Sequence, residues 1–235
     1  MKLRQYIDFN LGRFSELLRI ALAAQKAAPE VAYVHGMAAF GYEQCHLLEE
    51  AETAARRALD ILPEEPWAQH ALAHVMLTEG RIDEGVQFLE SVSPQWAGLN
   101  SFMQTHLWWH LALFRLSQGH VDEVLDLYDR HVWGVDKTYS QDQVGAVSLL
   151  ARLELASVDV GDRWIELGRL RGGAAAGCRR AFPVAAISLR PAASGTAGSG
   201  HLAGGDRKHV AALRKDRRNR HGGIARCPWP GDYGR

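Results

Sequence analysis

Through the first 170 or so residues, apolar side chains recur at helical spacing and polar ones fill the intervening positions. Ala51, Ala55 and Ala58 stand at i, i+4 and i+7. They form one stripe of small side chains along which two helix backbones can approach closely. The segment from Glu49 to Leu62 has no internal Gly or Pro and stops at Pro63, which lacks the N–H a helix needs and clashes with the preceding turn. The same reasoning predicts helices at about 66–79, 82–92, 103–118 and 121–132. Another is predicted at about 141–157, from the rhythm of Val144, Leu149, Leu150, Leu153 and Leu155. The expected fold class is all-α.

The helices repeat. Ala21, Ala24 and Pro29 recur as Ala55, Ala58 and Pro63, each 34 residues on. A second signature is glycine, a basic residue, an apolar residue, a small polar residue and Glu. It reads Gly12-Arg13-Phe14-Ser15-Glu16, Gly80-Arg81-Ile82-Asp83-Glu84 and Gly119-His120-Val121-Asp122-Glu123. The first interval is twice 34, and the second is 39, so about five residues are inserted near Ser93, Pro94 and Gly98. A glycine there ends one helix in the left-handed conformation of a C-terminal cap, and the acidic residues after it favour the start of the next. Each unit is therefore a helical hairpin, and repeating units of this length stack into an α-solenoid.

Composition divides the chain. Its net charge is zero, but residues 1–171 carry 15 Lys/Arg against 24 Asp/Glu, whereas residues 172–235 carry 12 against 3. The second part also holds 12 of the 23 glycines and 4 of the 8 prolines. Such a stretch buries too little apolar surface to offset its ordering entropy, and disorder is expected from about residue 171. Three unpaired-looking cysteines point to a reducing compartment. No apolar run reaches the length of a membrane span, so the protein is read as soluble and cytoplasmic.

The 34-residue period, the pattern Trp108-x2-Leu111-Ala112 and the trio Ala51, Ala58 and Pro63 resemble the tetratricopeptide repeat. Longer stretches, among them 35–41, 51–59, 67–75, 106–114 and Gly161-Asp162-Arg163-Trp164, are similar to the tetratricopeptide repeat protein 38 family over roughly residues 10–170. The resemblance implies an α-solenoid whose first helices line a concave face, and implies no reaction. Gln69 departs from it where a large aromatic is usual, and Arg115 where Tyr is common. The tail departs entirely. Its Ala, Gly, Arg, Pro and Ser are spelled by GC-rich codons, so residues from about 171 onward also read as a shifted reading frame.

Four histidines form two i, i+4 pairs, His70/His74 and His106/His110, on the first helices of successive repeats. With Trp109, and with His35 from the preceding first helix, they are expected to line one hollow. Imidazoles beside an indole offer donors, acceptors and a flat apolar surface for a peptide or small ligand. Histidines one turn apart can also share a metal ion. The residues between them are Ala71-Leu72-Ala73 and Leu107-Trp108-Trp109, so the glutamate of a zinc hydrolase motif is missing. The expectation is a non-enzymatic interaction scaffold without a cofactor, binding a protein, peptide or small ligand. One alternative is a metal-binding protein or enzyme built on the four histidines; another is a truncated or frameshifted fragment without function. The basic runs at Arg207-Lys208 and 214–220 lack aromatic interleaving, which argues against nucleic-acid binding. An uncapped apolar end between Leu149 and Leu167 is expected to promote self-association.

Overall fold

The computed structural model describes residues 2–174, and among them regular structure is helical throughout. The tail expected to be disordered, and with it the reading-frame hypothesis, lies almost wholly outside these residues. The helices are α1 (Lys2–Asn10), α2 (Phe14–Ala27), α3 (Ala32–Gln44), α4 (Leu48–Ile61), α5 (Pro66–Thr78), α6 (Ile82–Val92), α7 (Ser101–Ser117), α8 (Val121–Leu127), α9 (Ser140–Leu155) and α10 (Arg163–Ala174). A 3₁₀ turn at Ser93–Gly98 occupies the predicted insertion, and a π-helical turn at Tyr128–Val132 extends α8 to the predicted end of its segment. Helix α10 runs past residue 170, where the repeats were expected to stop.

The signature glycines behave as their spacing requires. Gly12, Gly80 and Gly119 have φ of +68°, +73° and +79°, the left-handed turn that closes a first helix and opens a second. Position 46 lies 34 residues after Gly12 and 34 before Gly80, and there His46 adopts the same turn with φ +60°. The backbone repeat thus persists where the sequence repeat lapses. Acidic residues stand in the first turn after these sites, Glu16 in α2, Asp83 and Glu84 in α6, and Asp122 and Glu123 in α8, facing the positive end of the helix dipole.

Second helices pack through small residues. Ala21, Ala51, Ala55 and Ala58 are completely buried, and their size sets the close spacing of α2, α3 and α4. The departure at Gln69 has a structural counterpart. Trp96, carried in by the inserted turn, is 1% exposed, and its Nε1 donates to Gln69 Oε1 at 2.9 Å. Gln69 Nε2 donates in turn to the Pro63 carbonyl at 3.0 Å and to Gln95 Oε1 at 2.7 Å. An imported indole and a satisfied amide replace the aromatic usual at that position.

The expected apolar end is covered. Leu149, Leu150, Leu153 and Leu167 are buried together with Tyr128, Val132, Trp133 and Val160, as α9 packs on α7 and on the π-helical turn and α10 packs in turn on α9. The apolar side chains left exposed nearby are Val144, Leu155 and Ile165. Among the described residues no helix is long and apolar enough to cross a membrane.

Candidate functional site

The odd-numbered helices α1, α3, α5 and α7, with Gln141 of α9, surround a cavity of about 330 Å³. The first and last of them meet, since Gln141 Nε2 donates to the Tyr6 hydroxyl at 3.4 Å. Gln5 Nε2 donates to the Met37 carbonyl at 3.1 Å, and Phe9 lies 5.4 Å from Phe40 between ring centroids. The concave side is therefore pinched into a hollow of small-molecule size rather than left as an open trough. Lys, Arg, Asp and Glu are absent from the lining, which is made of aromatic rings, imidazoles, the amides of Gln5, Asn10, Gln44 and Gln141, and Gly36 and Met37.

The two helices that carry the histidine pairs are anchored at their starts. Glu65 caps α5 by accepting from Ala68 N at 2.6 Å, with Pro66 in the first turn, and Asn100 caps α7 by accepting from Met103 N at 3.1 Å. Such caps satisfy donors that a helix start otherwise leaves open and hold its rotational register. In that register both pairs face each other. The four Nε2 atoms form a closed ring in the order His70, His74, His110, His106, with sides of 3.0, 3.1, 3.3 and 2.9 Å. His70, His74, His106 and Trp109 also line the cavity, and His110 stands behind them.

Packing fixes the rings. His106 is stacked between Phe102 and Trp109, with centroids 5.2 and 5.5 Å away and planes within 15° and 11°. His70 lies against Phe40 and Trp67, and the rings of His110 and Trp109 stand nearly perpendicular at 82° with centroids 5.0 Å apart. His74 Nδ1 donates to Glu43 Oε1 at 3.1 Å, and Gln44 Nε2 donates to the other oxygen of that carboxylate at 2.6 Å. The Nδ1 atoms of His70 and His110 are buried and make no hydrogen bond.

Burial, and then repulsion from the neighbouring imidazoles, pushes His70 and His110 well below the ordinary histidine range. The same desolvation, with the charge of His74, brings His106 down to about 4. Burial also disfavours ionised Glu43, but the hydrogen bond and charge of His74, with Gln44, outweigh it and hold the carboxyl below its usual value. At neutral pH the three lowered rings are uncharged, with lone pairs available.

His35 does not join this group. Its Nε2 donates to the Pro29 carbonyl at 2.7 Å and its Nδ1 accepts from Gln25 Nε2 at 2.8 Å, so it ties α3 to α2. The repeat register explains why. His35 is 34 residues before Gln69, which makes the equivalent bond to Pro63, whereas the positions equivalent to His70 and His74 are Gly36 and Phe40. One residue of register turns a helical side chain by about 100°. Glu43, Phe40, Phe102 and the residues of α1 are the contributors that residue-type reasoning missed. The 34-residue offset from His74 to Phe40 and on to Tyr6 marks two of the cavity walls.

A separate hollow at Asp129, Asp162, Arg163, Ile165 and Glu166 is organised by an ion pair, Arg163 to Asp129 at 2.8 and 2.5 Å, and gathers no imidazole or cysteine. Cys45 is half-buried at the end of α3, and desolvation pushes its thiol up.

No family profile matches the chain. Among solved structures it is similar to pilF of Pseudomonas aeruginosa, with a TM-score of 0.54 at 13% identity over 73% of each chain. It is also similar to a Podospora anserina protein built of nearly identical tetratricopeptide-like repeats, with a TM-score of 0.52 at 15% identity over 73% of this chain and 93% of that one. The RS-1 MamA protein, an ArsTM double mutant, matches with a TM-score of 0.50 at 12% identity over 74% of this chain and 94% of its own. At such identities the likeness is one of backbone path. The chain has the fold of tetratricopeptide-like helical repeats.

Proposed function

We propose that this chain is a helical-repeat binding protein, a divergent relative of the tetratricopeptide repeat protein 38 family, that holds one small, flat, uncharged molecule among its odd-numbered helices. The observation that carries the reading is the 330 Å³ cavity walled by aromatic rings and free of Lys, Arg, Asp and Glu. Its volume falls at the small end of the ~300–1,000 Å³ of ligand sites, where an apolar wall with a few polar groups is the common pattern. Phe40 and Phe102 offer aromatic surface against which a flat ligand can pack, and Trp109, stacked on His106, closes the wall behind them. The amides of Gln5 and Gln44 offer hydrogen bonds that orient the ligand, the imidazoles of His70, His74 and His106 complete the wall as ring surface, and His110 supports them from behind. The closure of α1 toward α9 favours a small ligand over the peptide that an open groove would take. The scaffold suits this task because stacked repeats bring side chains distant in sequence to one surface.

N-phenyl-1-naphthylamine, a neutral aromatic probe, tests the reading. Its fluorescence should rise on binding to metal-free full-length protein, saturate at one molecule per chain, and require at least 10-fold more probe in Trp109→Ala and Tyr6→Ala. A linear, unsaturable rise, or identical curves in wild type and both variants, refutes it.

A further inference from the structure

Four histidine nitrogens directed at one point need an account that ligand contact alone does not supply. Each Nε2 touches two neighbours of its own kind, and neutral imidazoles cannot satisfy that ring well. His74 donates its Nδ1 proton to Glu43, so in its neutral form its Nε2 carries a lone pair. The protons would then have to alternate around the ring, with His70 and His110 each dividing one N–H between two acceptors. A single cation at the centre would use all four lone pairs instead.

The dimensions fit such an ion. The four ligand atoms lie within 4.8 Å of one another. Nitrogens bonded to one tetrahedral zinc at ~2.0–2.1 Å stand ~3.3 Å apart; the four sides of the ring, 2.9–3.3 Å, are already close to that spacing, and drawing its two diagonals inward would complete the set.

We propose that His70, His74, His106 and His110 bind one divalent metal ion of the late first row, zinc foremost, through their Nε2 atoms. Imidazole donors select zinc, copper, nickel or iron over calcium and magnesium, which require oxygen. Glu43 is a positioning residue: its carboxylate accepts the Nδ1 proton of His74, fixing tautomer and ring plane, and itself receives a hydrogen bond from Gln44. Around His70, His106 and His110 the orienting role falls to Phe40, Phe102, Trp67 and Trp109. His70, His74 and His106 form part of the cavity wall, so an ion held by them borders the space assigned to the ligand. The metal site goes beyond the ligand reading and does not depend on it.

The test uses full-length protein purified without a polyhistidine tag, stripped with dipicolinate and titrated with Zn²⁺ by calorimetry, with Co²⁺ absorption as a second readout. One equivalent should bind, and Co²⁺ should show ligand-field bands of nitrogen coordination. His106→Asn should weaken this site at least 100-fold. Glu43→Gln, which keeps all four ligands, should weaken it 10- to 100-fold at unchanged stoichiometry. His35→Gln should leave it unchanged, and far-UV circular dichroism establishes folding of every variant. Absence of a stoichiometric site, or wild-type affinity in both His106→Asn and Glu43→Gln, overturns the proposal. If His106→Asn fails to fold, Glu43→Gln decides alone. Because the naphthylamine titration is made on stripped protein, either idea can fail while the other stands.

Discussion

Acidification of the metal-free protein perturbs the histidine cluster directly. The fold keeps His70, His106 and His110 uncharged, whereas in the unfolded chain each takes a proton near the ordinary value of about 6.5. Below that pH the unfolded state binds more protons than the folded one, so stability rises with pH and falls as pH drops. Between pH 7.5 and 5 each ring that stays neutral in the fold costs about 2 kcal/mol, and the three together cost about 6 kcal/mol. This is comparable with the whole stability of a typical domain, ~5–15 kcal/mol. The share due to His106 continues to about pH 4, where that ring accepts its proton in the folded state. Ordinary carboxylates titrate at the lower edge of this window, and the half-buried His131, also lowered by desolvation, adds a smaller background slope. Urea unfolding followed by circular dichroism, in EDTA at constant ionic strength and half-unit pH steps, measures the slope. The double variant His70→Asn/His110→Asn should remove roughly two thirds of the slope, whatever it does to absolute stability. Stability that is flat from pH 7.5 to 5, or a slope unchanged in the double variant, would refute the reasoning.

Two further outcomes follow from backbone geometry. A Cβ at Gly85 would meet ring atoms of Phe114 at 2.1, 2.5 and 2.8 Å, so Gly85→Ala should lower the stability measured by urea unfolding by about 1–3 kcal/mol as α6 is forced away from α7. His46 holds φ +60° where the other hairpins use glycine. Relief of left-handed strain, ~1–2 kcal/mol, offset by glycine's greater unfolded-state entropy, should make His46→Gly more stable by about 0.5–1 kcal/mol in the same assay.

Much of the architecture can be read along the chain because its causes are local. Pro63 stops a helix wherever the chain goes next, and a glycine in the left-handed region is favoured by its own lack of a Cβ, as at Gly12, Gly80 and Gly119. Helix α5 begins and ends within a residue of its prediction, and α6 matches it. Pairing histidines at i, i+4 likewise places two rings on one face before any partner is known.

Convergence is a property of the fold. Whether His70/His74 and His106/His110 meet depends on how α5 and α7 lie beside each other, and that is set by Trp96, Gln69 and the inserted turn packed between them. His35 shows the same dependence in reverse: its residue type suited the hollow, and one step of helical register turned it toward Pro29 instead. The curvature that brings Tyr6 to Gln141, 135 residues away, accumulates over every interface between them, as do the desolvation of the imidazoles and the closing of the cavity. Local spacing specifies helices and turns because each requires only a few neighbouring residues; a pocket requires the summed angles of many packed surfaces, which exist only once the chain has folded.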